Sequence, residues 1–154
     1  MTYYPRRPVK SFQDLEVYQK LLAIAVVIVK RTGTSDNETG IEELAIKRSG
    51  NAGSGTIKDL HDCALSLPIK IAAAHSLRFG NTEQAIRILE EIMVGCNKIV
   101  VYLELHRDLY NDDKIEIEFF EEQIKNILST RFKILHLQRS WIKFTPSEIK
   151  TKKL

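Results

Sequence analysis

Apolar residues recur along this chain at three- and four-residue steps, and no strand pattern competes with them. A period near 3.6 is the mark of helices packed along one side. In a first segment, about residues 11–31, Leu15, Tyr18, Leu22, Ala25 and Val29 form such a seam. Ser11 is placed to cap its start, and Asp14 favours the positive end of the helix. Leu21, Ile24, Val26 and Ile28 cover the other faces, so the second half is apolar nearly all round. That profile predicts burial on more than one side.

Residues 32–40 (TGTSDNETG) read as a loop, Ile41–Arg48 as a short helix, and residues 50–55 (GNAGSG) as a flexible break. A second helix, about 56–79, carries Ile57, Leu60, Ala64, Leu67, Ile71 and Ala74 on one stripe. Pro68 in its middle deletes a backbone bond and predicts a kink. Gly80 ends it, and Asn81 or Thr82 caps a third helix, about 82–110. Two apolar stripes run side by side there: Ile86, Leu89, Met93, Cys96, Val100 and Leu103, with Ala85, Ile88, Ile92, Ile99 and Tyr102 adjacent. The fourth helix, about 114–143, follows the turn Asn111-Asp112-Asp113 and ends before Pro146. Its pairs Ile127/Leu128, Ile134/Leu135 and Trp141/Ile142 repeat every seven residues, which predicts Trp141 as an anchor at the end of a wide seam, the alternative being an exposed stacking platform for bases.

Short connections between helices two, three and four make them antiparallel neighbours. The expected fold is therefore all-α: an antiparallel up-down four-helix bundle over 11–143, kinked at Pro68, between an N-terminal arm (1–10) and a C-terminal tail (144–154). Apolar surface on helices one and three beyond a single seam predicts a homo-oligomer.

At 154 residues, 44% hydrophobic and 28% charged, the chain has the composition of one folded domain rather than of a disordered one. Cys63 and Cys96 lie inside apolar helical patterns and read as reduced thiols. The start, MTYYPRRPVK, has no apolar signal core, and the longest apolar run, Leu21–Val29, is too short to span a bilayer. A cytoplasmic protein without membrane partners is expected.

Charge changes the picture more. Residues 131–154 hold seven basic side chains (Arg131, Lys133, Arg139, Lys143, Lys150, Lys152, Lys153) against Glu148 alone. The first ten residues add Arg6, Arg7 and Lys10, while the net charge of the whole chain is only +3. Basic ends thus flank an acidic body, and segregated positive charge is the footprint of a polyanion partner. Arg139 and Lys143, four residues apart, share a helix face; Arg78 and Arg87 form a second candidate surface.

Catalytic and metal motifs do not assemble. A bundle di-metal site needs Glu-x-x-His twice, and the nearest approach, Glu104-Leu-His106, puts the two side chains on different faces. His61 and Cys63 have no second His/Cys pair to complete a zinc site. The glycines of residues 50–55 lack the lysine and preceding strand of a phosphate loop. No cofactor is expected. One enzymatic hint is Arg131 and His136, whose spacing resembles the ribonuclease motif of the HEPN superfamily. Phe132 stands where that family usually has a polar residue, and five helical residues turn the pair about 140° apart.

Phe12, Asp14, Leu15, Val17, Tyr18 and Gln19 opening helix one, Ser66-Leu67-Pro68 followed by Ile71-Ala72, and the alternating third helix resemble a four-helix-bundle family. It includes proteins encoded in 23S rRNA intervening sequences and the accessory variability determinants (Avd) of diversity-generating retroelements. The resemblance covers about residues 11–143. The intervening-sequence branch follows its proline with Asn-Ile-Ala-Glu-Gly; here Lys70-Ile71-Ala72-Ala73-Ala74 lacks the Glu-Gly. The ending Leu137 to Lys143, with Trp141, is more similar to the Avd branch.

That resemblance implies a homopentameric barrel with a basic surface, without catalytic residues. Its partners would be RNA or DNA and a reverse transcriptase engaged in mutagenic cDNA synthesis. The sequence expectation is thus a non-enzymatic nucleic-acid-binding accessory protein. The alternatives are an rRNA-associated bundle and a HEPN-like ribonuclease using Arg131 and His136.

Overall fold

The computed structural model describes residues 11–33, 39–110 and 114–145, with the backbone alone at 39–54, 110, 114 and 115. Among these residues all regular structure is helical. A single 3-10 turn, Phe12–Asp14, precedes α1 (Glu16–Thr32), α2 (Thr39–Leu77), α3 (Thr82–Tyr110) and α4 (Lys114–Lys143).

Ser11 caps the 3-10 turn rather than α1, which corrects the expected start of helix one. Its hydroxyl accepts from the backbone N–H of Gln13 at 3.2 Å, and Asp14 folds back to accept from the N–H of Ser11 at 3.3 Å. This reciprocal pair closes over one turn. Leu15 is extended, with φ −70° and ψ 127°, and α1 begins after it. At α3 the cap is Asn81, whose side-chain oxygen accepts from Gln84 N–H at 3.3 Å.

The expected short helix at 41–48 and flexible break at 50–55 are replaced by one continuous helix, α2, of 39 residues. A helical glycine costs only about 1 kcal/mol relative to alanine. No proline occurs between Thr39 and Leu67, so each residue there can donate its N–H to the preceding turn. The expected loop at 32–40 narrows likewise, with Thr32 in α1 and Thr39 in α2; residues 34–38 and the turn at 111–113 lie outside the described residues.

Packing is cyclic. α1 contacts α2 and α4, and α3 contacts α2 and α4. Arg31, in the last turn of α1, meets Glu116 at the start of α4 at 2.9 Å, and Lys133 late in α4 pairs with Glu16 at the start of α1. Gln138 of α4 donates to Glu90 of α3 at 2.6 Å and to the carbonyl of Ile86 at 3.4 Å.

The core draws on Leu60, Ala64, Leu67, Ile71 and Ala74 of α2, as the stripe expected there requires. In α1 the inward line is Val17, Leu21, Ile24, Ala25 and Ile28, not the expected seam, from which only Ala25 is buried. A helix apolar all round does not announce which face turns inward. Both stripes of α3 are internal because the helix packs on two neighbours; Ile92 and Ile99 are buried alongside Leu89 and Cys96. Surplus apolar surface remains on α1 and α2 and, outside those two stripes, on α3, where Val94, Val101, Leu105 and Leu109 are exposed. On α4, Ile127 and Ile134 are buried while Leu128 is exposed, and Trp141 packs half-buried against the core. No helix among the described residues is long and apolar enough to cross a membrane.

Candidate nucleic-acid interface

The charges along α4 are divided. Its first nine residues include Glu116, Glu118, Glu121 and Glu122; from Gln123 to Lys143 there is no carboxylate and five cations, Lys125, Arg131, Lys133, Arg139 and Lys143. The hydrogen bonds of Gln138 hold the basic half of α4 against the first turns of α3. The α2–α3 turn, with Arg78, thus lies at the bundle end where α4 finishes. Arg78, Arg87, Lys133, Arg139 and Lys143, read from sequence as two surfaces, belong to one end of the molecule.

Their states differ. Lys133 pairs with Glu16, and Arg87 with Glu83 at 2.8 Å, so each is partly neutralised. Arg139 is exposed and forms no ion pair among the described residues. Lys143 is exposed, its Nζ 5.9 Å from the ring centre of Phe144. Arg131 does not join them. Its Nε is buried without a hydrogen-bond partner, and its charge reaches Cys96 on α3. Arg6, Arg7 and Lys10 lie outside the described residues.

Arg78 is the most constrained cation. Its Nη1 donates to the carbonyl of His75 at 2.7 Å and lies 3.0 Å from Nδ1 of the same residue. A guanidinium only donates, so Nδ1 accepts and the imidazole proton sits on Nε2. Burial, with the neighbouring Arg78 charge second, holds the His75 pKa below its ordinary value and favours this neutral form. The guanidinium also stands 4.2 Å from the centre of the Phe79 ring.

The exposed aromatic residues were not singled out from the sequence, whose one stacking candidate, Trp141, packs half-buried against the core. Phe79 is 85% exposed, Phe144 79% and Phe132 59%, whereas Phe12, Phe119 and Phe120 are packed. A signal existed. Each exposed phenylalanine directly follows a cation (Arg78-Phe79, Arg131-Phe132, Lys143-Phe144), and none of the packed ones does.

Elsewhere the chemistry is quiet. Arg131 and His136 leave α4 on different sides: His136 lies edge-on to Phe132 at 4.6 Å and borders a shallow groove with Leu15 and, on α1, Val17. Burial, reinforced by nearby Cys63, pushes the Cys96 thiol up to about 12. Cys63 is also raised, by burial, against the opposing charges of Lys98 and Lys70. Both cysteines are free thiols held in the protonated, poorly nucleophilic form. No group of three or more His, Cys, Asp or Glu side chains among the described residues is placed to hold a metal ion.

The chain matches no protein-family model, no curated protein and no solved structure.

Proposed function

We propose that this protein is a non-enzymatic nucleic-acid-binding accessory subunit, cytoplasmic and oligomeric. In line with its resemblance to the accessory variability determinants, its protein partner is a reverse transcriptase. In this reading the four helices run up-down-up-down, α2 bends at Pro68, and copies close into a ring, a pentamer by the same resemblance. The contacts of α4 with both ends of α1 support the helix order. Pro68 lies inside α2, where its missing N–H weakens one turn.

One observation carries the functional reading. The carboxylate-free half of α4 ends beside the α2–α3 turn, gathering Arg78, Arg139 and Lys143 at one end of the bundle. Repetition around a ring would multiply that field from few residues per chain. A second observation supports assembly: Leu22, Val26, Leu65 and Ile69 border an apolar groove of about 360 Å³ between α1 and α2. Exposed apolar surface of this kind marks contact sites.

The test is equilibrium binding of fluorescein-labelled RNA and DNA oligonucleotides to the purified full chain across a salt series. Affinity that falls steeply with salt for unrelated sequences is the expected result. No binding even at low salt overturns the reading. A neighbouring reverse-transcriptase gene with template and variable repeats would separate the retroelement role from an rRNA-associated one.

A further inference from the structure

Phenylalanine is normally an interior residue, and leaving one in water forgoes about 1.5–3 kcal/mol of burial. Phe79 and Phe144 are nonetheless nearly fully exposed, and both stand at the same bundle end. Each has a cation against its ring, Arg78 at 4.2 Å and Lys143 at 5.9 Å. Arg78 is moreover fixed by two contacts to His75. At 85% exposure, the ring face of Phe79 not covered by the guanidinium is open to solvent. The arrangement is therefore an exposed aromatic ring with positive charge beside it, twice.

A partner must match both features, offering flat π faces together with negative charge. Protein surfaces rarely supply that pair repeatedly, but every nucleotide does. In a duplex the base faces are already stacked on one another and only the phosphates remain outside. In a single strand the faces are available to aromatic side chains, and cationic grooves follow the backbone. Charge favours the same choice, since the half of α4 leading to Phe144 has no carboxylate to repel phosphates. Apolar contact between copies has another candidate, the α1–α2 groove, where cations do not border the exposed residues.

We propose that Phe79 and Phe144 are stacking platforms for unpaired bases, so that the polyanion taken by this end of the molecule is single-stranded nucleic acid. The inference rests on the nucleic-acid reading above and narrows its substrate class. Arg78 and Lys143 position the strand by its phosphates while the rings hold bases without choosing among them.

The experiment compares three labelled probes of equal length on the full-length protein: oligo-dT, an abasic oligomer with the same phosphates and no bases, and a blunt duplex. Oligo-dT is expected to bind most tightly. Phe79→Ala and Phe144→Ala should each weaken oligo-dT binding roughly fivefold or more and leave the abasic oligomer unaffected. Phe79→Trp should retain affinity, whereas Phe79→Leu, apolar but without a π face, should lose it. Thermal melting of each variant checks folding, which substitution at such exposed positions should not disturb. Equal affinity for oligo-dT and the abasic oligomer overturns stacking while leaving the nucleic-acid reading standing. Binding of none of the three probes removes both. A lower assembly mass for the alanine variants would assign the rings to a protein interface and also overturn the proposal.

Discussion

Leu67 lies against the bare Cα of Gly95: a Cβ built on that glycine would come within 2.6 Å of Leu67 Cδ2. The glycine thus lets α2 and α3 cross without room for a methyl group, and Leu67, 1% exposed, fills the space. Gly95→Ala sets overpacking of about 1–3 kcal/mol against a helix gain of about 1 kcal/mol. The expected outcome is a net loss of up to about 2 kcal/mol, larger for Gly95→Val. Urea titration should show a lower midpoint at unchanged slope. On a Leu67→Ala background, itself about 2–5 kcal/mol less stable, Gly95→Ala should become neutral or favourable. If the two changes are additive, this crossing is not where the helices are held close.

The four main helices and the inner faces of α2 and α3 were legible because their apolar stripes are regular and the boundary between them is marked by Gly80-Asn81. The inner face of α1 was not, since a run such as Leu21–Val29 offers no polar side to mark the surface. Glycines misled at 50–55, where helix continuity outweighs their modest individual costs. On the candidate site, the cations were readable as charge, but their meeting at one end depends on Gln138 reaching Glu90, a contact between residues 48 apart in sequence. Phe79 and Phe144 went unread because an apolar residue just past a helix end is ordinarily taken for a cap contact.

Acid should destabilise the fold through three histidines. His61, 2.7 Å from Thr32 Oγ1, His75 beside Arg78, and His106 stacked on Phe120 all have pKa values lowered by burial below 6.5. The neutral forms are therefore preferred in the folded chain, and protons bind the unfolded chain more strongly. Their stabilisation is fully present above about pH 6.5 and is lost as pH falls through and below it. Each contributes a slope of at most about 1.4 kcal/mol per pH unit. His106→Phe, which preserves an aromatic stack, should reduce that slope. A melting temperature unchanged between about pH 7 and about pH 5, where an unperturbed histidine of the unfolded chain takes up its proton, would contradict this account.

Two aspartate substitutions should separate assembly from folding. Ile69 is 71% exposed beside the α1–α2 groove, whereas Ile99 is 1% exposed in the core. Ile69→Asp should yield a folded protein of lower mass by light scattering. Ile99→Asp should unfold the chain, because an unpaired buried charge costs several kcal/mol. A wild-type mass equal to the 17.7 kDa chain across micromolar concentrations would eliminate the oligomer.

Arg139 and Lys143 carry the sharpest test of the basic surface. Both are exposed on one face of α4, and no acidic side chain follows Glu122 on that helix. Replacing both by glutamine removes two phosphate contacts if each meets the strand. For single strands, each contact contributes roughly 0.7 to the slope of log affinity against log salt, so the slope should flatten by about 1.4. Lys133→Gln and Arg87→Gln should change it less, since Glu16 and Glu83 already compensate those charges. Light scattering of the double variant should match wild type, because neither residue contributes to the buried core. If affinity and slope are unchanged by the double substitution, the strand must instead follow Arg78 and Arg87 across the start of α3. Arg78→Gln would then produce the larger loss.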